Sequence, residues 1–288
     1  MIDLLCIGNL TIDEAVRPDG KRNESLGGDA IFAALAARHA GASISWLAPV
    51  GHDFPEAMRA RLTACGLETS AQPQRPLPTV RNVVTYDRGG GRSWHLLHGQ
   101  EHFEAMSARP TDVAADMLAA RGVLVLGMGL TSQLDLLAWL RGRTEATVYL
   151  DVEEDGIVGR EDEVLAALPA CDVFLPSEIE ACRLTDLDDP TAAAVRLAEA
   201  GPSVVVVKLA ERGAVVVAGG PPKHVPVSPL DAVDPTGAGD AFCGGFAAAH
   251  LRGESPVDAV AIGAAEAAIA ISAFGVDALL AVAGGCPA

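Results

Sequence analysis

Short apolar runs alternate with longer helical patterns along most of this chain, and that alternation leaves few folds open. Ile2–Ile7, Ser43–Ala48, Val123–Leu126, Thr147–Leu150, Val173–Leu175 and Val204–Val207 are of strand length. Several lack the apolar–polar alternation of a half-exposed strand, as strands covered on both faces do. Asp29–His39, Phe54–Cys65, Thr111–Ala120, Ser132–Arg141, Glu161–Leu168, Glu178–Leu184, Pro190–Ala200 and Asp240 to about His250 read as helices. Asp189 offers an N-cap, with Pro190 in the first helical position. Ser255-Pro-Val-Asp258 opens a second C-terminal helix, expected to end near Gly275. Repeated βαβ units imply a mostly parallel central sheet flanked by helices, here in a single α/β domain over residues 1–288.

Two segments break the alternation. Residues 10–26 are polar and turn-rich around Arg17-Pro18-Asp19-Gly20, and residues 79–97 read as two strands around Asp87-Arg88-Gly89-Gly90-Gly91. They form either a small β-sheet lid or a pair of surface hairpins.

Half of the residues are hydrophobic but only 4% are aromatic, so the core must be aliphatic and alanine-rich. A net charge of −17, from 21 basic and 38 acidic side chains, argues against nucleic acid or an anionic membrane surface as partner. It leaves room for an anionic substrate, which needs only local positive potential. No apolar run approaches the roughly 20 residues that span a bilayer. The N-terminus lacks the basic and long apolar regions of a signal peptide. Cys6, Cys65, Cys171, Cys182, Cys243 and Cys286 have no metal-site spacing and read as reduced thiols. A cytoplasmic protein with no nucleic-acid or membrane partner is expected.

The stretch Asp234-Pro-Thr-Gly-Ala-Gly-Asp-Ala-Phe242 carries the chemistry. Its glycines let backbone N–H groups approach an anion, and the helix that follows adds free N–H groups and a positive dipole end. Asp240 is out of place beside an anion unless it has another task. Taking the proton of an attacking hydroxyl is one such task; helix capping is the other.

The nine-residue string resembles the C-terminal signature of the ribokinase-like, PfkB-type carbohydrate kinases, and the likeness runs nearly end to end. It implies a ribokinase-like fold with the small sheet, about 10–26 and 79–97, as a lid. It also implies an anion hole at Gly237, Ala238 and Gly239, and Asp240 as catalytic base. Gly8-x-x-x-x-Asp13 and Gly27-Gly28-Asp29-Ala30-Ile31-Phe32 resemble the family's substrate-pocket elements. Asp13, Gly27, Gly28, Asp29 and Phe32 are therefore expected at the acceptor, Phe32 standing where the pattern has Asn. Asp151-Val-Glu153-Glu154-Asp155 lacks the Arg found there in many sugar kinases, which weakens the case for an acidic sugar.

Ser177-Glu-Ile-Glu180 resembles the family's Asn-x-x-Glu, in which the Glu acts on magnesium through water. Val205-Val-Val-Lys208-Leu-Ala210-Glu-Arg-Gly213 resembles Thr-Leu-Gly-x-x-Gly beside ATP, with Lys208 and Ala210 departing from it. Ser177, Lys208, Gly213, Asp234 and Thr236 are thus expected around ATP, with Mg2+ near Glu180. The implied activity is ATP-dependent phosphorylation of a hydroxyl on a small sugar or polyol, in a protein able to form a homodimer through the lid. A nucleoside kinase of the same superfamily, or a non-catalytic sugar- or nucleotide-binding protein on this fold, are the alternatives. No Gly-x-x-x-x-Gly-Lys-Ser/Thr string occurs, and no Gly-x-Gly-x-x-Gly follows the first strand, against P-loop and dinucleotide-binding enzymes.

Overall fold

The computed structural model describes residues 2–86, 92–230 and 232–284. The turn expected at Asp87–Gly91, and Cys286, lie outside them. Strand β1 (Leu4–Ile7) leads into β2 (Thr11–Val16), β3 (Arg22–Gly27) and helix α1 (Asp29–His39). Next come β4 (Ile44–Leu47), the two-residue β5 (Val50–Gly51), α2 (Glu56–Ala64) and β6 (Gln74–Arg75). β7 (Val80–Tyr86), β8 (Arg92–Leu96) and α3 (Gly99–Ala105) precede a regular run. That run is β9 (Gly122–Val125), α4 (Leu130–Leu140), β10 (Thr147–Leu150), α5 (Glu161–Ala167), β11 (Val173–Phe174), α6 (Glu178–Thr185), α7 (Pro190–Glu199) and β12 (Val204–Lys208). β13 (Ala214–Ala218), β14 (Lys223–Val225), α8 (Ala238–Leu251), α9 (Pro256–Ala270) and α10 (Asp277–Gly284) complete it.

Eight strands make the main sheet in the order β14-β13-β12-β11-β10-β9-β1-β4. The six from β12 to β4 are parallel, and β13 and β14 add an antiparallel edge. Successive side chains of a strand go to opposite faces. Leu4 and Cys6 of β1 therefore pack with α1, α8 and α9, while Leu5 and Ile7 pack with α4 and α7. Both faces are apolar, which is why these strands read as unbroken hydrophobic runs.

A separate four-stranded sheet, β3-β2-β7-β8, is built from the two segments that broke the alternation. β2 and β7 pair in parallel at its centre, so it is one sheet rather than two independent hairpins.

Two helical expectations need correction. Thr111–Ala120 holds only short 3-10 turns, Pro110–Asp112 and Met117–Ala119. Asp112 accepts from the Arg109 amide at 2.9 Å and pairs with Arg75 at 2.5 Å, and Val113 turns extended. Tertiary pairing outweighs the helical propensity of that stretch. α9 stops at Ala270, short of Gly275, because the next carbonyl, that of Ile271, is engaged by the Val233 amide at 2.8 Å.

Candidate active site

The parallel strands end along one rim, and the chain leaves β1 toward β4 before returning to β9 on its other side. Open α/β sheets bind ligands outside the carboxyl ends of their strands, where the strand order reverses. Here the residues just past β1, β9, β10, β11 and β12 (Asn9, Gly127, Asp151, Ser177 and Leu209) line a groove of about 1100 Å³. Asp13 and Asn82 of the small sheet line its other end.

The 234–240 turn forms one wall. Gly237 is the N-cap of α8 in the left-handed region, φ 76°, and no side chain caps the helix. A Cβ there would lie 2.3 Å from the Phe32 ring, which packs directly beneath the turn. Ala238, Gly239 and Asp240 open α8 toward the groove. Asp240 is half-buried. Burial first, and then the Asp151 carboxylate, push its pKa up to about 7 against the pull of Lys208. Thr236 lines the groove, but Asp234 is buried behind the turn. The Asp234 carboxylate accepts from the Thr236 amide at 3.0 Å and the Gly275 amide at 3.4 Å, which ties the turn to the segment after α9.

Lys208, at the end of β12, reaches the Asp151 carboxylate at 2.7 Å and the Cys243 sulfur at 3.5 Å. Burial is the strongest single influence and opposes its charge, but Asp151, Cys243 and Glu180 together outweigh it and the ammonium's pKa is raised. Ser177 and Glu180 form a capping box on α6. The Ser177 amide donates to Glu180 at 2.6 Å and the Glu180 amide donates to the Ser177 hydroxyl at 3.2 Å. Burial, with Asp151 next, pushes the Glu180 pKa up to about 7. Gly213 borders the same end of the groove.

At the other end Asp13 is buried and accepts from the Thr11 hydroxyl at 2.7 Å and the Asn82 amide nitrogen at 2.8 Å. Burial pushes its pKa up to about 6. Gly27 lies against it, and a Cβ there would fall 1.9 Å from Asp13 Oδ2. Gly28 and Asp29 line the groove. Asp29 Oδ1 is committed to the backbone amides of Asn9 at 2.5 Å and Ala30 at 2.8 Å. Phe32 also borders the groove, yet its side chain is only 1% exposed.

The pfkB family carbohydrate kinase model matches residues 1–281. The chain belongs to the PfkB family. It is 29% identical over 265 residues to a cytidine kinase from Thermococcus kodakarensis, covering 91% of this chain and 94% of that one. The adenosine kinase structure from Sinorhizobium meliloti superposes with a TM-score of 0.83 at 22% identity, over 98% of both chains. An E. coli protein solved with ATP and Mg2+ superposes with a TM-score of 0.79 at 22% identity, over 96% of this chain and 94% of that one. The fold is therefore ribokinase-like, and the chain is an ATP-dependent phosphotransferase acting on hydroxyls of sugar-like substrates.

The structure of this PfkB protein adds groove residues that motif reading missed. Asn9 Nδ2 and Oδ1 and Asn82 Oδ1 are buried without hydrogen-bond partners. Asn82 left a signal: Val80 and Val84 are the buried, inward residues of β7, and a polar residue between them on that face calls for a reason. Asp151 was noted only for the Arg missing after it; its ion pair needs strands distant in sequence and leaves no local mark.

Proposed function

We propose that this PfkB protein transfers the γ-phosphoryl group of Mg-ATP to a hydroxyl of a sugar, polyol or nucleoside bound between the small sheet and α8. The observation that carries the reading is a carboxylate, Asp240, in the first turn of a helix whose uncapped N-terminus opens on the groove. Asp240 takes the proton of the acceptor hydroxyl. That oxygen bonds to the γ-phosphorus as the bond to the β,γ-bridging oxygen breaks, and the electron pair leaves on ADP. The Gly237, Ala238 and Gly239 amides hold the charge of the moving group, since phosphoryl transfer is mostly positioning and electrostatic stabilisation. A pKa raised toward neutrality suits a base working near pH 7.

The nucleotide lies along Ser177, Lys208, Gly213 and Thr236. Asp234 acts from behind by shaping the turn. Mg2+ keeps most of its waters and needs few carboxylates. The groove supplies a fitting one in Glu180, which would hold the ion through water, where its charge offsets that of the phosphates.

Asp13, backed by Gly27, receives acceptor hydroxyls, with Gly28 and Asp29 on the same wall and Phe32 beneath. The small sheet acts as a lid, the whole chain as one domain. Its outer strands β3 and β8 have free edges among the described residues, which supports a homodimer through the lid. The free thiols of Cys6, Cys171, Cys182 and Cys243 suit a cytoplasmic location, and among the described residues no helix is long and apolar enough to cross a membrane.

The likeness to a cytidine kinase over nearly the whole chain keeps nucleosides beside sugars as acceptors. A coupled ADP-release screen over sugars, polyols and nucleosides with Mg-ATP tests the reading. A single preferred class is expected, and no acceptor-dependent ADP from any class would contradict it.

A further inference from the structure

The described groove lining carries nine acidic side chains and one basic one, Lys208. A triphosphate entering such a groove meets a field of its own sign, so the place of that single ammonium matters. It is fixed from two sides: Asp151 Oδ1 lies 2.7 Å away, and the Cys243 sulfur of α8 lies 3.5 Å away. It also sits directly under the turn of α8, because a Cβ added to Gly239 would be 3.4 Å from Lys208 Nζ. The pair is largely buried, with side-chain exposures of 13% for Lys208 and 7% for Asp151.

We propose that Lys208 is a catalytic residue that meets the transferring phosphoryl group at the Gly237–Gly239 turn, and that Asp151 is the positioning residue that holds it there. This rests on the kinase reading above and assigns Lys208 a task that a nucleotide-bordering residue need not have. The acceptor oxygen bonds to the γ-phosphorus, the bond to the bridging oxygen breaks, the proton goes to Asp240 and the electron pair to ADP. Throughout, the ammonium keeps its proton and faces the oxygens on which charge spreads. A preorganised charge in a site of low dielectric stabilises that state more than it stabilises bound ATP. The bland rival is that Lys208 only neutralises a buried Asp151.

The two differ in one double variant. Lys208→Met leaves Asp151 buried without its partner, so loss of both stability and turnover is expected on either view. Lys208→Met/Asp151→Asn removes both charges. Its melting temperature should return toward wild type, while kcat with Mg-ATP and the best acceptor stays down about 100-fold, with a smaller change in ATP affinity. A double variant that recovers both melting temperature and kcat would overturn the proposal. Where a Met variant fails to fold, Lys208→Gln, which still donates to Asp151 without charge, carries the test: the same kcat loss supports the proposal, and wild-type kcat overturns it. Wild-type protein assayed alongside separates the two levels. If it releases no acceptor-dependent ADP, the kinase reading falls and this inference with it; if it turns over while the double variant does too, only this inference falls.

Discussion

Single residues decide more of this site than their side-chain type suggests. Phe32 stands where the family pattern has Asn, and the sequence invites placing it against the acceptor. Its ring borders the groove but also fills the space under Gly237, where no Cβ fits. Phe32→Asn should therefore destabilise the protein by about 3–5 kcal/mol, as large-to-small changes at buried aromatics do, with acceptor preference unchanged. Melting temperature and acceptor profile measured on one variant check this; an intact fold with a new profile would return Phe32 to the acceptor wall. Ala210 stands where the pattern has Gly and keeps the left-handed backbone, φ 51°. An L-residue pays roughly 1–2 kcal/mol there and Gly loses part of that gain to chain entropy. Ala210→Gly should raise the urea midpoint by the equivalent of up to about 1 kcal/mol, and a lower midpoint would show that the Ala methyl packs. Asp240, Gly237 and Glu180 were legible because short motifs fix them. Asn82 showed only as a polar residue on the inward face of β7, and the Lys208–Asp151 pair left no mark, because strands far apart in sequence bring it together.

Among the elements, those whose residues face one environment were read well. α1 spans Asp29–His39 and β10 Thr147–Leu150, as expected. β13 and β14 escaped notice: they are the antiparallel edge after β12, with turns rather than a helix between strands. The Thr111–Ala120 stretch misled because the Asp112–Arg75 pair holds it in a way no local pattern records. α6 joins an element to the chemistry. Glu180 both caps the helix and faces the groove. Gln serves a capping box as Glu does, so Glu180→Gln should leave the melting temperature nearly unchanged. The lost charge should raise the Mg2+ concentration needed for half-maximal turnover more than it changes the acceptor KM. Magnesium titration at fixed ATP reads this, and equal effects on both constants would remove Glu180 from the metal's neighbourhood.

At the scale of the whole molecule, the fold gathers carboxylates at one sheet edge and holds several of them out of their ordinary range. Asp13 is pushed up to about 6, and Glu180 and Asp240 up to about 7. Such groups bind protons in the folded state at a pH where the unfolded chain has released them. Unliganded stability should thus fall as pH rises from about 4 to about 7 and level off above. Thermal scans across that window test the sign, and Asp240→Asn should flatten the slope in part; an unchanged slope would mean that Asp240 titrates normally. Activity should move the opposite way, rising through about pH 7 as Asp240 ionises. The central claim is that Asp240 is the base of an ATP-dependent kinase. Its most direct test is kcat for acceptor-dependent ADP release by Asp240→Asn beside wild type, with ATP binding measured on both. We expect ATP affinity to be nearly retained and kcat to fall about 10²–10⁴-fold. A variant that keeps more than about half of wild-type kcat would contradict the account, since general-base loss costs far more than that.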